Sequence, residues 1–326
     1  MNAVFINHSE KQCGVYQYGK RMADILKTDD RYSFYYFECD NPNEFLTKTN
    51  GLDINYIIYN WHDLTMAWLG NDIIDSFKHK AKQLVIFHES MYPNHLSFDG
   101  VIMTNLSENK ELRQFSLPRP IYEIDLPKTK NEKLKFGSFG FGFDNKGFER
   151  ICLLINENFT DAIIHLHITN AHFGDIDRRI SSGVINRCQS LMEGSSNELI
   201  VTSEFYENED ILKFLNENSV NIFLYDDMPG RGLSSVIDYA ISVDTPLIVN
   251  NSTMFRHLLS HRPNMSIDNT NIQTIIENGN DDVLFFRKKW SNSNLKNKFI
   301  QILNEVCPSF PDNEYGWEKL FGEQNL

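Results

Sequence analysis

The sequence predicts an α/β protein of two tandem units, each a parallel sheet covered by helices, the two facing each other across a cleft. Three observations predict it. Short apolar runs alternate with helical patterns along the chain, which is the signature of strand–helix–strand crossovers. The alternation stops at a proline-punctuated, charged stretch and then restarts. The length, 326 residues, suits about two domains of ~150 residues.

The first unit reads as strands at Ala3–Ile6, Ser33–Phe37, Ile54–Tyr59, Gln83–Phe87, Gly100–Met103 and Ile121–Ile124. A helix between the first two carries Val15, Tyr18, Met22, Ile25 and Leu26 on one face. A second is expected through Asp63–Phe77, with Asp63 as N-cap. Pro118, Pro120 and Pro127, with the charged residues that follow, mark the boundary, so that residues 1–127 form the first unit. The second, residues 128–306, has strands at Leu134–Phe139, Ala162–Ile168, Asn221–Tyr225 and Pro246–Val249. Its helices are expected around Phe148–Ile155, Ile211–Leu215 and Leu233–Ile241, with further helices from Asn271. Residues 307–326 are read as a terminal segment of their own.

Composition narrows the function. With 31 Lys+Arg against 44 Asp+Glu the net charge is −13, which argues against a broad nucleic-acid surface yet leaves room for one anion held by local cations and helix ends. No apolar run reaches the ~18 residues of a membrane span, and the opening residues lack the basic head and apolar core of a signal peptide. The five cysteines are odd in number, scattered and without a CxxC pair, so neither a disulfide framework nor structural zinc is indicated, and a cytoplasmic setting is expected.

In parallel sheets ligands bind at the carboxyl ends of the strands, which directs attention to the loops there. Asp226-Asp227-Met228-Pro229-Gly230-Arg231-Gly232-Leu233-Ser234-Ser235 follows an apolar strand and opens a helix. Gly230 and Gly232 allow close backbone approach, Ser234 and Ser235 place hydroxyls at the helix start, and Arg231 offers a planar fork for phosphate. The same loop could simply be a capped strand–helix joint. Gly137–Gly147 is a second glycine-rich loop; it includes Gly140, and Lys146 stands at a helix start where it could serve a diphosphate. The third, after the first strand, contains Gly14; Cys13 beside it reads as a loop residue rather than a nucleophile. His62 and His88 follow strands of the first unit, with Asp63 and Glu89 next to them, and any of the four could act as a base. His165 and His167 share a strand face with His172 close by, but nothing completes a ligand set and no metal is expected.

In this order the loops resemble those of the GT-B glycosyltransferases, most closely the GT4-like group. The resemblance rests on Cys13–Tyr18 after strand one, the histidine-ended strands Ile54–His62 and Gln83–His88, the Lys146-Gly147 helix start, and the segment Phe223–Val249 with its Thr245-Pro246-Leu247-Ile248-Val249 ending. Glu314–Leu320 resembles the helix that returns to the first domain. The resemblance implies two Rossmann-like domains facing across a cleft, and transfer of a sugar from a nucleotide-diphosphate donor to a hydroxyl of a glycan or other acceptor, without metal or cofactor. It places Gly14, Gly140, Lys146 and the Gly230–Ser235 loop at the donor, where Arg231 is added for its charge and not from the family pattern, with Asp227 or Asp238 on the donor sugar or ribose, and His62, Asp63, His88 and Glu89 toward the acceptor. One departure stands out. Many retaining members carry two glutamates eight residues apart in the donor segment, whereas here Asp227 and Asp238 are eleven apart. An epimerase of the same fold, or a non-catalytic subunit that binds a nucleotide sugar, remains an alternative.

Overall fold

The computed structural model describes residues 1–89, 97–104 and 108–307, and two parallel sheets organise them. Strands β1 (Asn2–Asn7), β2 (Ser33–Glu38), β3 (Tyr56–Trp61), β4 (Lys82–Phe87), β5 (Gly100–Met103) and β6 (Gln114–Ser116) form the first, in the order β2-β1-β3-β4-β5-β6. The second contains β7 (Lys135–Phe141), β8 (Ile163–Thr169), β9 (Glu198–Thr202), β10 (Val220–Phe223) and β11 (Leu247–Val249), in the order β11-β10-β7-β8-β9. Each order reverses once, between β1 and β3 and between β7 and β10. At such a switch point neighbouring connections leave in opposite directions and open a crevice at the strands' carboxyl ends.

Helices α1 (Gly14–Leu26), α2 (Pro42–Thr49) and α3 (Asn71–Phe77) serve the first sheet. The second is flanked by α4 (Phe148–Asn158), α5 (Arg179–Leu191), α6 (Asn208–Asn216) and α7 (Val236–Ser242), followed by α8 (Arg256–Leu259), α9 (Ile272–Glu277), α10 (Asp281–Lys289) and α11 (Asn292–Val306). The central strands are buried on both faces, as their near-continuous apolar runs require: every residue of β3 and β10 is buried. In α1 the expected stripe buries Tyr18, Met22, Ile25 and Leu26 against Phe5, Tyr56 and Ile58. All seven residues of α7 are buried, because this helix has its own sheet on one side and the first half of the chain on the other.

The structure differs from the sequence reading at several elements. Ile121–Ile124 is not a strand; no regular element lies between Ser116 and Lys135. Ile121 is buried by packing on the second half's core, and the prolines around it cannot donate to a ladder. The expected Asp63–Phe77 helix forms only over α3, with Gly70 at its N-cap and Asp63 exposed in a preceding turn. Helices α2, α5 and α8 and strands β6 and β9 are not announced by the sequence pattern. The chain comes back to the first sheet at α11, ahead of residue 307: Leu295, Phe299, Ile302, Leu303 and Val306 pack into the core around Ala3, Phe5 and Leu84. Their spacing puts them on one helix face, and the Ser291 side chain caps the start by accepting from the Asn294 amide at 3.3 Å. The segment Glu314–Leu320 lies outside the described residues. Among the described residues no helix is long and apolar enough to cross a membrane.

Candidate functional site

A cavity of about 320 Å³ opens at the switch point of the second sheet. Its floor is built from the carboxyl ends of β7 (Phe139, Gly140, Phe141), β8 (His167, Thr169) and β10 (Tyr225); Arg231, Ser234, Ser235 and Tyr239 form one side. The first half reaches over it with Lys11, Gln12, Gly14 and Gln17. Six residues from three separated loops of the sequence reading therefore meet here: Gly14, Gly140, Lys146, Arg231, Ser234 and Ser235.

Its electrostatics are one-sided. Lys11, Lys146 and Arg231 line it, and among the described lining residues there is no carboxylate, although the chain carries a net charge of −13. Lys146 ends a 3-10 turn, Asp144–Lys146, whose next residue Gly147 has φ 67°. The turn holds the ammonium 4.1 Å from the centre of the Tyr225 ring. Burial, reinforced by the charge of Arg231, lowers its pKa to about 8. Two cations lining one cavity without a carboxylate raise the free energy of the empty cavity, and an anion lowers it. The sign fixes an observable: Lys146 is charged below pH 8 and neutral above it. Affinity for a sugar nucleotide is expected to fall as pH rises from 7 to 9, measurable by calorimetry at constant ionic strength.

The two halves touch where their loops need the least bulk. A Cβ on Gly14 would stand 2.8 Å from Ser235 Oγ, and one on Gly232 would collide with the His88 carbonyl. The Gly232 amide donates to Glu89 Oε2 at 2.8 Å, so the carboxylate at the end of β4 holds the glycine-rich loop from across the cleft. Gln12 and Gln17 add bonds to the His172 amide (3.3 Å) and the Asn208 side chain (3.0 Å). Helix α7 starts later than the sequence suggested: Leu233 precedes it and Ser235 is its N-cap, without a side-chain capping bond.

None of His62, Asp63, His88, Glu89 and Asp227, the residues expected at the chemistry, lines this cavity. His88, half-buried, shares a 2.7 Å hydrogen bond between Nε2 and Asn60 Oδ1 and packs its ring on Tyr18 at 4.9 Å. Burial, then the charge of Arg119, keeps its pKa well below the usual imidazole value. His62 lies beside it on β3's end, 3.7 Å from Asp63. Asp63 is exposed and accepts from the Leu64 amide at 2.9 Å. Asp227 is also exposed, and its Oδ1 accepts from the Thr253 amide at 2.8 Å, so it fastens one loop to the next. Asp238 requires a correction: it is 0% exposed, does not line the cavity, and is engaged by Arg119 and Arg21. The charge of two arginines, invisible in the local pattern, has taken it.

Sequence reasoning missed four contributors. His8, at the end of β1, is 0% exposed; burial, helped by His62, lowers its pKa to about 4. Its signal was its place after strand one, matching His62 and His88. Arg256 donates to the carbonyls of Thr253 (2.6 Å) and Arg231 (3.3 Å), supporting the loop from behind. Lys11 and Tyr239 carried no local signal, since tertiary packing alone brings them to the cavity. His165 and His167 both turn to Thr202, and His167 stacks on Tyr206 at 3.8 Å. Among the described residues no group of three His, Cys, Asp or Glu is placed to hold a metal.

His8, His165 and His167 each have a pKa lowered to about 4 by burial, against ~6.5 in an unfolded chain. Between these values the unfolded state binds more protons, so stability is lost as pH falls from 6.5 toward 4. Urea midpoints at pH 7, 6 and 5 are expected to decline in that order.

No protein-family model matches the chain, and no curated protein sequence matches it either. Solved structures do. HepE of Anabaena, described in complex with UDP and glucose, aligns with a TM-score of 0.65 at 13% identity, covering 94% of this chain and all of that one. A glycosyltransferase of Rickettsia africae aligns at 0.62 and 13% identity, over 94% and 98%. AviGT4, a glycosyltransferase of avilamycin A biosynthesis, aligns at 0.62 and 12%, over 95% and 99%. The two switched parallel sheets, the loops meeting between them and these alignments along nearly the whole chain together show that this protein has the GT-B fold.

Proposed function

We propose that the protein is a glycosyltransferase that moves a sugar from a nucleotide-diphosphate donor to a hydroxyl group of a glycan or another acceptor. The observation that carries this reading is the cavity: three cations and no carboxylate among its described lining, in an acidic chain, at the switch point of the second sheet. Phe139, Phe141, Phe205, Tyr206 and Tyr225 give it aromatic walls, which suits a molecule with a flat base at one end and a diphosphate at the other. The UDP and glucose of HepE support the same class of ligand.

On this reading Lys146, Arg231 and Lys11 hold the diphosphate together with the amides of the Gly230–Ser235 loop. Transfer forms a bond between the acceptor oxygen and the anomeric carbon and breaks the bond from that carbon to the diphosphate. The charge that develops on the leaving phosphate is the main electrostatic demand, and fixed cations meet it without reorganisation. The acceptor proton passes to a base if the enzyme inverts, or to the departing phosphate if it retains. Of the candidates His62, Asp63, His88 and Glu89, the last two stand at the loop, with Glu89 bonded to the Gly232 amide. His88 is neutral at pH 7, but the burial and the Arg119 charge that keep it so also disfavour the imidazolium, which makes it a weak base.

Incubation with a panel of sugar nucleotides, with and without hydroxyl acceptors, tests the reading. Expected are transfer only when an acceptor is present and its loss in Arg231→Ala. Epimerised donor without acceptor would identify an epimerase, and uptake without turnover a binding subunit. Should no sugar nucleotide bind at all, the assignment of the cavity is wrong.

A further inference from the structure

Asp238 is bonded more than it needs to be. Arg119 by itself meets both carboxylate oxygens, with Nε on Oδ1 and Nη2 on Oδ2, each at 2.7 Å. Arg21 adds a third bond, Nη2 to Oδ2 at 3.0 Å. All three groups are buried, with exposures of 4% for Arg21, 2% for Arg119 and 0% for Asp238. One carboxylate between two guanidiniums leaves a surplus positive charge out of water, which costs stability unless other groups offset it. They do so here in part: Arg21 Nε donates to the Pro120 carbonyl at 3.2 Å, and its guanidinium lies 5.0 Å from the Tyr122 ring and 4.7 Å from the Tyr239 ring.

What Arg21 reaches and Arg119 does not is a wall of the cavity. Tyr239 lines it, and its hydroxyl donates to Asn208 Oδ1 at 2.7 Å. Asn208, another lining residue, donates through Nδ2 to Gln17 Oε1 at 3.0 Å. Gln17 lines the cavity as well and stands four residues before Arg21, one turn back on α1. The contacts close on themselves: Arg21, Tyr239, Asn208, Gln17 and back along the helix. Two of the four belong to the first half of the chain and two to the second.

We propose that Arg21 is a positioning residue for the cavity: held on Asp238, it braces the Tyr239 ring so that Gln17, Asn208 and Tyr239 present one fixed wall to the bound nucleotide. The proposal rests on the nucleotide-sugar reading of the cavity. A planar guanidinium is suited to this because it stacks on a ring while its edge bonds a carboxylate, which a lysine cannot do.

Arg21→Met tests it, because this change keeps an unbranched stem against the two rings and leaves Arg119 and Asp238 a balanced pair. Dissociation constants for UDP, GDP and ADP are measured by calorimetry in the wild type, Arg21→Met, Arg21→Lys, Asn208→Ala and the Arg21→Met/Asn208→Ala double variant. Arg21→Met and Asn208→Ala are each expected to weaken the nucleotide that binds by roughly tenfold, and the double variant to be little weaker than either, as contacts in one chain require. Arg21→Lys is expected to stay near Arg21→Met. An unchanged constant in Arg21→Met, multiplicative losses in the double variant, or full recovery with lysine would each overturn the proposal; the last would mean that charge alone matters. If the wild type binds none of the three, the nucleotide reading is what fails. The brace is then decided without ligand by amide hydrogen exchange in the first turns of α6. Faster exchange at Ile211 and Leu212 in Arg21→Met supports it, and unchanged protection refutes it.

Discussion

Asp238→Asn is expected to destabilise the protein by about 3–5 kcal/mol, the cost of breaking a buried ion pair from one side. The substitution is nearly isosteric, so the loss is electrostatic: Arg119 and Arg21, both almost wholly buried, lose their shared counter-charge. At roughly 2 °C per kcal/mol for a chain of this size, the melting temperature falls by about 6–10 °C. Asp227→Asn is the matched control, since that carboxylate is exposed and its bond is to a backbone amide. Its melting temperature is expected to stay close to the wild type. Calorimetric scans of the two variants side by side check the contrast. Equal behaviour would mean that the seam between the halves does not depend on the carboxylate.

Lys146→Ala is expected to weaken sugar-nucleotide binding by about 2–3 kcal/mol, roughly 30- to 150-fold, as when one partner of a desolvated charge pair is truncated. It removes the best-buried of the three cations that line the cavity. Stability should not follow affinity. Burial and Arg231 already disfavour the charged lysine in the empty cavity, which offsets what its contact with Tyr225 supplies. The ligand-free melting temperature is expected within about 2 °C of the wild type. A large loss of affinity with stability unchanged marks a residue kept for its ligand; parallel losses would show a structural lysine.

Much of the architecture is legible in the sequence, because it follows from local patterning. The runs at Ala3–Ile6, Leu84–Phe87 and Gly100–Met103 are continuous and apolar because both faces of a parallel strand are covered. The α1 stripe is read at helical spacing for the same reason of burial. Elements with weaker patterning escaped notice. Strand β9, Glu198–Thr202, is an edge strand with no residue fully buried. Helix α5 buries only Ser181, Val184 and Cys188, too few apolar positions to reveal a stripe. Ile121–Ile124 shows the converse error: its apolar residues are buried by contact with a neighbouring core, and burial without periodicity looks like a strand.

At the site, the residue types that favour an anion could be found one loop at a time: glycines for close approach in Gly230–Ser235, a guanidinium at Arg231, an ammonium at Lys146. Only the folded chain decided which of them share a cavity, that Lys11 joins them, and that Glu89 grips the loop instead of standing apart from it. It also decided the fate of Asp238. A carboxylate's partners are set by which charges come within a few ångströms of it, and Arg21 and Arg119 lie 217 and 119 residues away along the chain. Patterns of burial are written into neighbouring residues, because each side chain meets the core through its own backbone geometry. Pairings of charge across two domains are written nowhere until the domains meet.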